Sequence, residues 1–325
     1  MSAEIERCCM CRARFPKRAA EFDFVSDLCG FARVFVVPTP DHLCERGSHI
    51  KRFMLYKNLK YKRLKERDKN IMLIDVHAHY DDKRFNDDRD EVIKMVKESG
   101  VDRVINCGSS IKSSRTSVDL AKKYDFIYAA VGVHPHDTAR TPENTLDILY
   151  DLLKNKKVLA VGEIGLDFFR DFSDRDSQRW WFKQQMDFVA DVQYPVVIHD
   201  RDAHKECLDM VKKYKGMVKG IFHCFAGSVE MARELIKLDY MMSFGGVVTF
   251  TNAKLCQEVV REIPIDYILL ETDCPYLTPH PHRSERNDSS YLPLIAEKIA
   301  EIKNMTVEDV IYKTGENAKR CFNIT

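Results

Sequence analysis

The chain lacks any uninterrupted apolar run of the roughly 18–20 residues that a bilayer-spanning helix needs. Its N-terminus also lacks the basic, apolar and small-residue order of a secretory signal. These absences argue against membrane insertion and secretion and favour a cytoplasmic protein. The 11 cysteines do not change this expectation, because a chain of 325 residues can bury a large core without disulfides. We therefore expect a globular protein with reduced thiols.

The chain also has little net charge, +1, but this value hides two regions of opposite sign. Residues 1–70 hold 16 basic and 9 acidic residues, a net of +7, whereas residues 71–325 hold 35 and 41, a net of −6. The larger region thus lacks the diffuse basic charge of a general polyanion binder. If it acts on nucleic acid, its positive charge must be local, and bound metal ions would be one source.

From residue 71 onward, short apolar runs alternate with amphipathic segments of helical period. We interpret eight runs as strands of a parallel sheet that is buried on both faces. They are Ile71–Val76, Arg103–Cys107, Ile127–Val133, Val158–Ile164, Pro195–His199, Gly220–Cys224, Tyr240–Phe244 and Tyr267–Glu271. Predicted helices include Asp87–Ser99, Pro142–Lys154, Asp176–Asp191, Val229–Leu238 and Ala253–Glu262. Eight such units in about 250 residues predict an α/β fold, a (β/α)8 TIM barrel, with a doubly wound open sheet as the alternative.

Side chains that bind metal ions follow five of the eight predicted strands. On the first strand, His77 and His79 are two residues apart, so both can face the same point. The ends of the fourth, fifth, sixth and eighth strands carry Glu163, His199, His223 and Asp273. Each residue alone would more often be a core or surface residue, but ionisable groups are rarely buried without partners. Together, at the face where barrel active sites lie, they offer enough ligands for two divalent ions.

Other polar residues lie on the same predicted rim. His134 and His136 follow the third strand, and we interpret them as substrate contacts, with metal ligation as the alternative. Arg201 follows the fifth strand and is a candidate for a phosphate contact through its planar guanidinium. A structural ion pair of Arg201 with Asp200 or Glu163 is equally compatible with the sequence.

Six motifs span this region in a fixed order. They are Met72-Leu-Ile-Asp-Val-His77-Ala-His79, Gly132-Val-His134-Pro-His136, Gly162-Glu163-Ile-Gly-Leu-Asp167, His199-Asp-Arg201-Asp-Ala203, His223-Cys-Phe-Ala-Gly227 and Glu271-Thr-Asp273-Cys-Pro275-Tyr. Through them, residues 72–325 resemble the TatD-type deoxyribonucleases of the amidohydrolase-like superfamily. The resemblance implies a Mg²⁺-dependent hydrolase that trims single-stranded DNA from the 3′ end, with Mn²⁺ or Zn²⁺ as alternative ions.

The resemblance also assigns roles to the ligands. It implies that His77, His79, Glu163 and Asp273 hold one ion. It implies that Glu163 bridges to a second ion held by His199 and His223, and that Asp273 orients or deprotonates the attacking water. In the family, the loop after the last ligand usually reads Arg-Gly-x-Arg-Asn-Glu-Pro. Here the loop is Arg283-Ser-Glu-Arg286-Asn-Asp-Ser289, which keeps both arginines as phosphate contacts but leaves substrate choice open.

Two other functions remain compatible with the sequence. A metal-dependent ester or amide hydrolase that acts on aminoacyl-tRNA or a lactone would use the same ligands, and the net charge of −6 over residues 71–325 slightly favours it. A non-enzymatic binding protein on a degenerate barrel is the third reading, and the complete ligand set argues against it.

Residues 1–70 precede the predicted hydrolase barrel of residues 71–325 as a basic, cysteine-containing extension. Lys51–Lys69 holds nine basic and two acidic residues with aromatic residues between them. We interpret this segment as a solvated or disordered linker, with a basic helix that touches nucleic acid as the alternative. Cys8 and Cys11 have the spacing of a zinc-binding pair, but His42 and Cys44 do not complete a common zinc motif.

Overall fold

The computed structural model describes residues 71–324, so the predictions for residues 1–70 lie outside it. Its eight strands are β1 (Ile74–Ala78), β2 (Arg103–Cys107), β3 (Ile127–Val131), β4 (Val158–Asp167), β5 (Val196–Arg201), β6 (Gly220–Phe222), β7 (Tyr240–Phe244) and β8 (Ile268–Leu270). They form one parallel sheet in which each strand pairs with the next in the sequence, from β1 to β8.

The segment after β8 returns to β1 and brings the two edges of the sheet together. Ala78 and Cys274 form a parallel bridge. The backbone N–H of His79 donates to the carbonyl oxygen of Cys274 at 2.8 Å, and that of Asp273 donates to the carbonyl oxygen of His77 at 2.9 Å. The predicted (β/α)8 barrel is therefore confirmed, and the open sheet is excluded.

Helices follow the strands and cover the outside of the sheet. They are α1 (Arg89–Glu98), α2 (Ile111–Lys123), α3 (Thr145–Leu153), α4 (Arg175–Val192), α5 (His204–Lys213), α6 (Val229–Lys237), α7 (Lys254–Glu262), α8 (Leu292–Lys303) and α9 (Val307–Phe322). Four of these helices begin at a residue whose side chain accepts a hydrogen bond from a backbone N–H group of the first turn. These residues are Ser110, Asp174, Ser228 and Thr306. All five predicted helices are present. Among residues 71–324, no helix is long and apolar enough to cross a membrane.

The strands separate two apolar clusters. The outer cluster lies between the sheet and the helices. The inner cluster fills the barrel interior toward the N-terminal ends of the strands, which we call the lower end. All eight strands contribute to it: Ile74, Val76, Ile105, Cys107, Ala130, Ala160, Val197, Ile221, Met241 and Leu269. Ala318, Cys321 and Phe322 of α9 pack with it, followed by Ile324. The inner cluster, as defined by these fourteen residues, occupies the interior below the predicted ligands.

Two bulges change the direction of the side chains just before the first and fourth strands reach the rim. In β1, the four residues from Asp75 to Ala78 oppose three residues of β2, from Val104 to Asn106. Strict alternation from the inward-facing Ile74 and Val76 would have pointed His77 outward. The extra residue reverses this order, so Ala78 packs in the outer cluster and the imidazole of His77 faces the barrel axis.

Strand β4 contains a second bulge, which has the same effect on Glu163. Ala160 lies in the inner cluster and Val161 in the outer cluster, so regular alternation would place residue 163 outside. Between Val161 and Ile164, however, β4 has one residue more than the facing stretch of β5, and Ile164 returns to the outer cluster. Glu163 consequently faces inward.

Candidate metal centre

The six predicted ligands meet at the C-terminal end of the barrel around Glu163, which is 3% exposed. Its Oε1 atom lies 2.7 Å from Nδ1 of His199 and 2.8 Å from Nε2 of His223. Its Oε2 atom lies 3.4 Å from Nε2 of His77 and 3.5 Å from Nε2 of His79. Each carboxylate oxygen therefore faces a different pair of imidazoles.

Within each pair, the ring nitrogens point at each other. Nε2 of His77 lies 3.0 Å from Nε2 of His79, and Nδ1 of His199 lies 3.1 Å from Nε2 of His223. Oδ1 of Asp273 lies 3.4 Å from Nε2 of His79, next to the first pair. We call His77, His79, Asp273 and Oε2 of Glu163 the first ligand group. The second ligand group is His199, His223 and Oε1 of Glu163.

The chemistry of these donors fits divalent ions. Imidazole nitrogens and carboxylate oxygens that converge from several strands are the ligands of Zn²⁺ and Mn²⁺, and carboxylates also suit Mg²⁺. Ligand atoms of His77, His79 and Asp273 all lie within 4.8 Å of one another, as do those of His134, Glu163 and His199. These two clusters of ligand atoms are therefore suited to binding divalent metal ions.

A close approach of β4 to β5 brings Glu163 and His199 together. At Gly165, φ is +141°, and a Cβ atom there would lie 2.0 Å from the carbonyl oxygen of His199. No side chain fits in that space, so glycine permits this contact between the strands. The two bulges and this glycine thus set the positions of the candidate ligands.

The electrostatics of the site suit cation binding. Burial alone would raise the pKa of Glu163, but the neighbouring His223, His134 and His77 outweigh it and hold this pKa well below its usual range. Burial lowers the pKa of His77 to about 3, so its imidazole is neutral at pH 7. Burial opposes protonation of His79 too, yet its contacts with Asp273 and Glu163 raise its pKa to about 10. Protons and metal ions therefore compete for the same imidazole.

Backbone and carboxylate groups orient the ligand imidazoles from behind. Nδ1 of His79 donates to the carbonyl oxygen of Cys107 at 2.9 Å, which leaves its Nε2 free to face Glu163. Asp167 places Oδ2 3.3 Å from Nε2 of His199 and 2.7 Å from Nε2 of His136. Such hydrogen bonds fix the tautomer and direction of a metal-binding histidine.

Asp167 belongs to one of the six sequence motifs, but no role was predicted for it. The signal was its position four residues after Glu163 on one strand, because side chains an even number of residues apart share a face. Glu271 was missed in the same way. It is fully buried beneath the second ligand group, accepts a hydrogen bond from the hydroxyl of Ser243 at 2.5 Å, and lies 3.9 Å from Nδ1 of His223.

The two histidines after β3 occupy different places. Nε2 of His134 lies 3.3 Å from Oε1 of Glu163, and its ring centre is 4.3 Å from that of His199, so it stands beside the second ligand group. His136 lies farther out, where its Nε2 contacts Asp167 and its side chain is 28% exposed. The geometry keeps both interpretations of His134 open and leaves His136 as a predicted substrate contact.

The three predicted phosphate contacts differ in how they are held. The guanidinium of Arg201 lies 4.2 Å from the ring centre of Phe169, whereas Asp200 accepts a hydrogen bond from His204. Arg283 lies 3.5 Å from the ring centre of another phenylalanine, Phe250. Arg286 instead donates to both carboxylate oxygens of Asp88, at 2.9 and 2.5 Å. Its side chain is therefore already committed to a partner in the protein.

A cleft of about 400 Å³ opens beside the second ligand group. His199, His223 and Asp273 line one side of it. Its other side is largely apolar and includes Phe225, Val247, Leu255 and Leu277. The predicted ligands thus border a space that can admit part of a substrate.

Comparison with known proteins identifies the family of the chain. The family described as TatD related DNase matches residues 74–323. The chain belongs to this TatD family. A metal-dependent hydrolase of Bacillus subtilis, YabD, is 44% identical over 254 residues, which cover 78% of this chain and 100% of that relative. The 3′-5′ ssDNA/RNA exonuclease TatD of Erwinia tasmaniensis is 31% identical over 259 residues, 78% of this chain and 100% of the relative.

Solved structures agree with this membership. The crystal structure of YJJV, a TatD homologue from Escherichia coli K12, has a TM-score of 0.74 and 26% identity, and it covers 79% of this chain and 100% of its own. A TatD-family hydrolase from Entamoeba histolytica shares the fold, with a TM-score of 0.70. The TatD-type resemblance is confirmed, and so is the predicted enzyme class, a metal-dependent hydrolase. The non-enzymatic interpretation is therefore abandoned.

Proposed function

We propose that this TatD protein uses two divalent ions to hydrolyse phosphodiester bonds at the 3′ ends of single-stranded DNA. The observation that carries the proposal is the position of Glu163, whose two oxygens face two separate imidazole pairs. A carboxylate placed in this way can bridge two ions, and paired ions are the usual means of in-line phosphodiester cleavage.

Each ligand group would hold one ion, Mg²⁺ by preference with Mn²⁺ or Zn²⁺ as alternatives. When bound, the ions supply positive charge to the attacking and leaving oxygens and lower the pKa of water. Asp273 is the more accessible carboxylate, with a side chain that is 16% exposed against 4% for Glu163. Asp273 would therefore accept the proton of the attacking water, while Glu163 keeps the two ligand groups together.

The substrate class is supported by the relatives and by charge. Relatives from Erwinia tasmaniensis and Dickeya dadantii carry the name 3′-5′ ssDNA/RNA exonuclease, so RNA belongs in any test beside DNA. Residues 71–325 have a net charge of −6, which weakens general attraction to a polyanion. Local positive charge at the two ligand groups would offset this and direct the phosphate to the site.

The apolar cleft favours a second candidate function. Phe225, Val247 and Leu255 form a surface that also suits the acyl part of an ester, a lactone or an aminoacyl group. Ions held by the same ligands would polarise a carbonyl group instead of a phosphodiester. Substrate competition separates the two functions, because only the preferred substrate will show a high kcat/KM.

Purified full-length protein should be assayed on single-stranded DNA, duplex DNA, RNA, aminoacyl-tRNA and simple esters with Mg²⁺, Mn²⁺ or Zn²⁺. We expect the highest kcat/KM on single-stranded DNA, shortening from the 3′ end, and loss of activity in EDTA. Asp273→Ala should lower kcat by about 10²–10⁴-fold, the usual contribution of a side chain that accepts a proton in the reaction. Asp119→Ala, at an exposed carboxylate of α2, is the matched control. Full activity of Asp273→Ala would refute the site, and a preference for esters would refute the substrate.

A further inference from the structure

The loop between β4 and α4 exposes two phenylalanines at the rim of the barrel. Phe172 is 68% exposed and Phe169 is 56% exposed. Single exposed apolar residues are common on protein surfaces and need no explanation. Two in a loop of seven residues, 168–174, at the end of the barrel where the ligands lie, indicate a surface that meets something apolar and flat.

A short series of contacts connects this loop to the metal centre. The ring of Phe172 meets the ring of His136 at 4.8 Å and 67°, and its remaining surface faces solvent. Nε2 of His136 contacts Asp167, and Asp167 contacts His199 of the second ligand group. A group stacked on Phe172 would therefore lie on the same rim as the second ligand group, separated from His199 by His136 and Asp167.

Arginines accompany the exposed rings. The guanidinium of Arg201 lies 4.2 Å from the centre of the Phe169 ring, and that of Arg170 lies 5.5 Å from it. Among the ion pairs of residues 71–324, neither arginine has a carboxylate partner. Asp171 in the same loop is paired with Arg175 at 2.8 Å, so its charge is largely neutralised. The surface thus combines a free aromatic face with cations that suit phosphate.

We propose that Phe172 stacks an unpaired base of the substrate while Arg201, held on Phe169, contacts the adjacent phosphate. This inference rests on the proposed nuclease function and adds the means of strand selection. Stacking accepts any base, because every base has a flat π face, but it requires a base that is not stacked within a duplex. The net charge of −6 over residues 71–325 makes diffuse backbone attraction a poor source of affinity. Stacking supplies affinity that does not depend on such attraction.

The test compares a single-stranded oligothymidine with bis(p-nitrophenyl) phosphate, a small diester that lacks bases to stack. In Phe172→Ala, the ratio of kcat/KM for the oligonucleotide to kcat/KM for the small diester should fall by roughly 5- to 150-fold, the effect of losing one base–aromatic stack. Phe172→Trp should restore the ratio, since it keeps a flat ring. Tyr150→Ala, which removes a 53% exposed aromatic side chain from α3, should leave the ratio at its wild-type value.

The outcomes distinguish this inference from the proposed function. If wild-type protein cleaves the oligonucleotide and Phe172→Ala keeps the wild-type ratio, stacking is refuted and the nuclease function stands. If wild-type protein hydrolyses only the small diester, the nuclease function itself fails. Fluorescence anisotropy with a labelled oligothymidine that ends in phosphorothioates gives an independent measurement. Phe172→Ala should weaken this binding by a similar factor, and equal binding by both proteins would contradict the proposal.

Discussion

The two ends of the barrel interior are built by the same eight strands from opposite kinds of side chain. The lower end holds the inner cluster, which consists of apolar residues and is closed by α9. The upper end holds four histidines and two carboxylates around a shared centre at Glu163. On β5, for example, Val197 of the inner cluster and the candidate ligand His199 are only two residues apart. Adjacent inward positions thus serve stability and chemistry respectively.

This contrast implies that the stability of the barrel and its metal binding can be altered separately. A cavity in the inner cluster should lower the free energy of unfolding without changing how the ligands face one another. A change behind a ligand at the upper end should weaken metal binding at little cost in stability. The following predictions test this separation, beginning with the greatest expected effect.

Phe322→Ala should be the most damaging change to stability. Phe322 is 1% exposed and packs in the inner cluster from the end of α9. Truncation of a buried phenylalanine lowers the free energy of unfolding by about 3–5 kcal/mol. Thermal unfolding followed by circular dichroism should show the loss, with Phe322→Leu as a milder control. A large drop in Mn²⁺ affinity of the folded variant at low temperature would mean that the two ends are coupled.

Asp167→Asn should weaken metal binding or kcat by about 10–100-fold, the usual effect of losing a carboxylate that orients a metal-binding histidine. The substitution preserves size but removes the charge that faces His199 and His136. Titration calorimetry with Mn²⁺ and the nuclease assay measure the two quantities. Asp176→Asn changes an exposed carboxylate at the start of α4 and is the matched control. Wild-type affinity and kcat in Asp167→Asn would show that His199 needs no support.

The smallest expected effect concerns the two arginines of the loop after β8. Arg286→Ala should cost less than about 1 kcal/mol of stability, since its pair with Asp88 is partly exposed. Arg283→Ala should raise KM for single-stranded DNA more than Arg286→Ala does, because only Arg286 is engaged by a carboxylate. Steady-state kinetics on both variants compare them. A greater rise in KM for Arg286→Ala would mean that substrate displaces Asp88.

The fold and the convergence of the six candidate ligands could be predicted because their signals are local in the sequence. Two strands, Arg103–Cys107 and Tyr240–Phe244, have the predicted bounds, since each is a compact buried run. The predicted strand at Tyr267–Glu271 is shorter in the structure, Ile268–Leu270, and Tyr267 belongs to a short 3-10 helix, Ile265–Tyr267, that precedes it. Placing each ligand at the end of a strand was sufficient to predict that they converge.

Features that depend on contacts between distant segments were not predictable. The ion pair of Arg286 with Asp88 joins residues 198 positions apart, and nothing in the local pattern indicates it. The paired role of Asp167 depends on the positions of His136 and His199 on other strands. The prediction that His77 and His79 are ligands assumes that both side chains face the inside of the barrel. That assumption holds in β1 only because of a bulge that the sequence does not reveal.

The same two bulges set a condition for protein engineering. Copying the six ligand residues onto an idealised barrel with unbroken strands would not reproduce the centre, because the first histidine pair and the glutamate would emerge among the helices. A designer would have to transplant the irregular segments from Asp75 to Ala78 and from Val161 to Ile164 as units, together with Gly165. Deleting one residue from either segment should have the reverse effect and turn a hydrolase scaffold into an inert one in a single step.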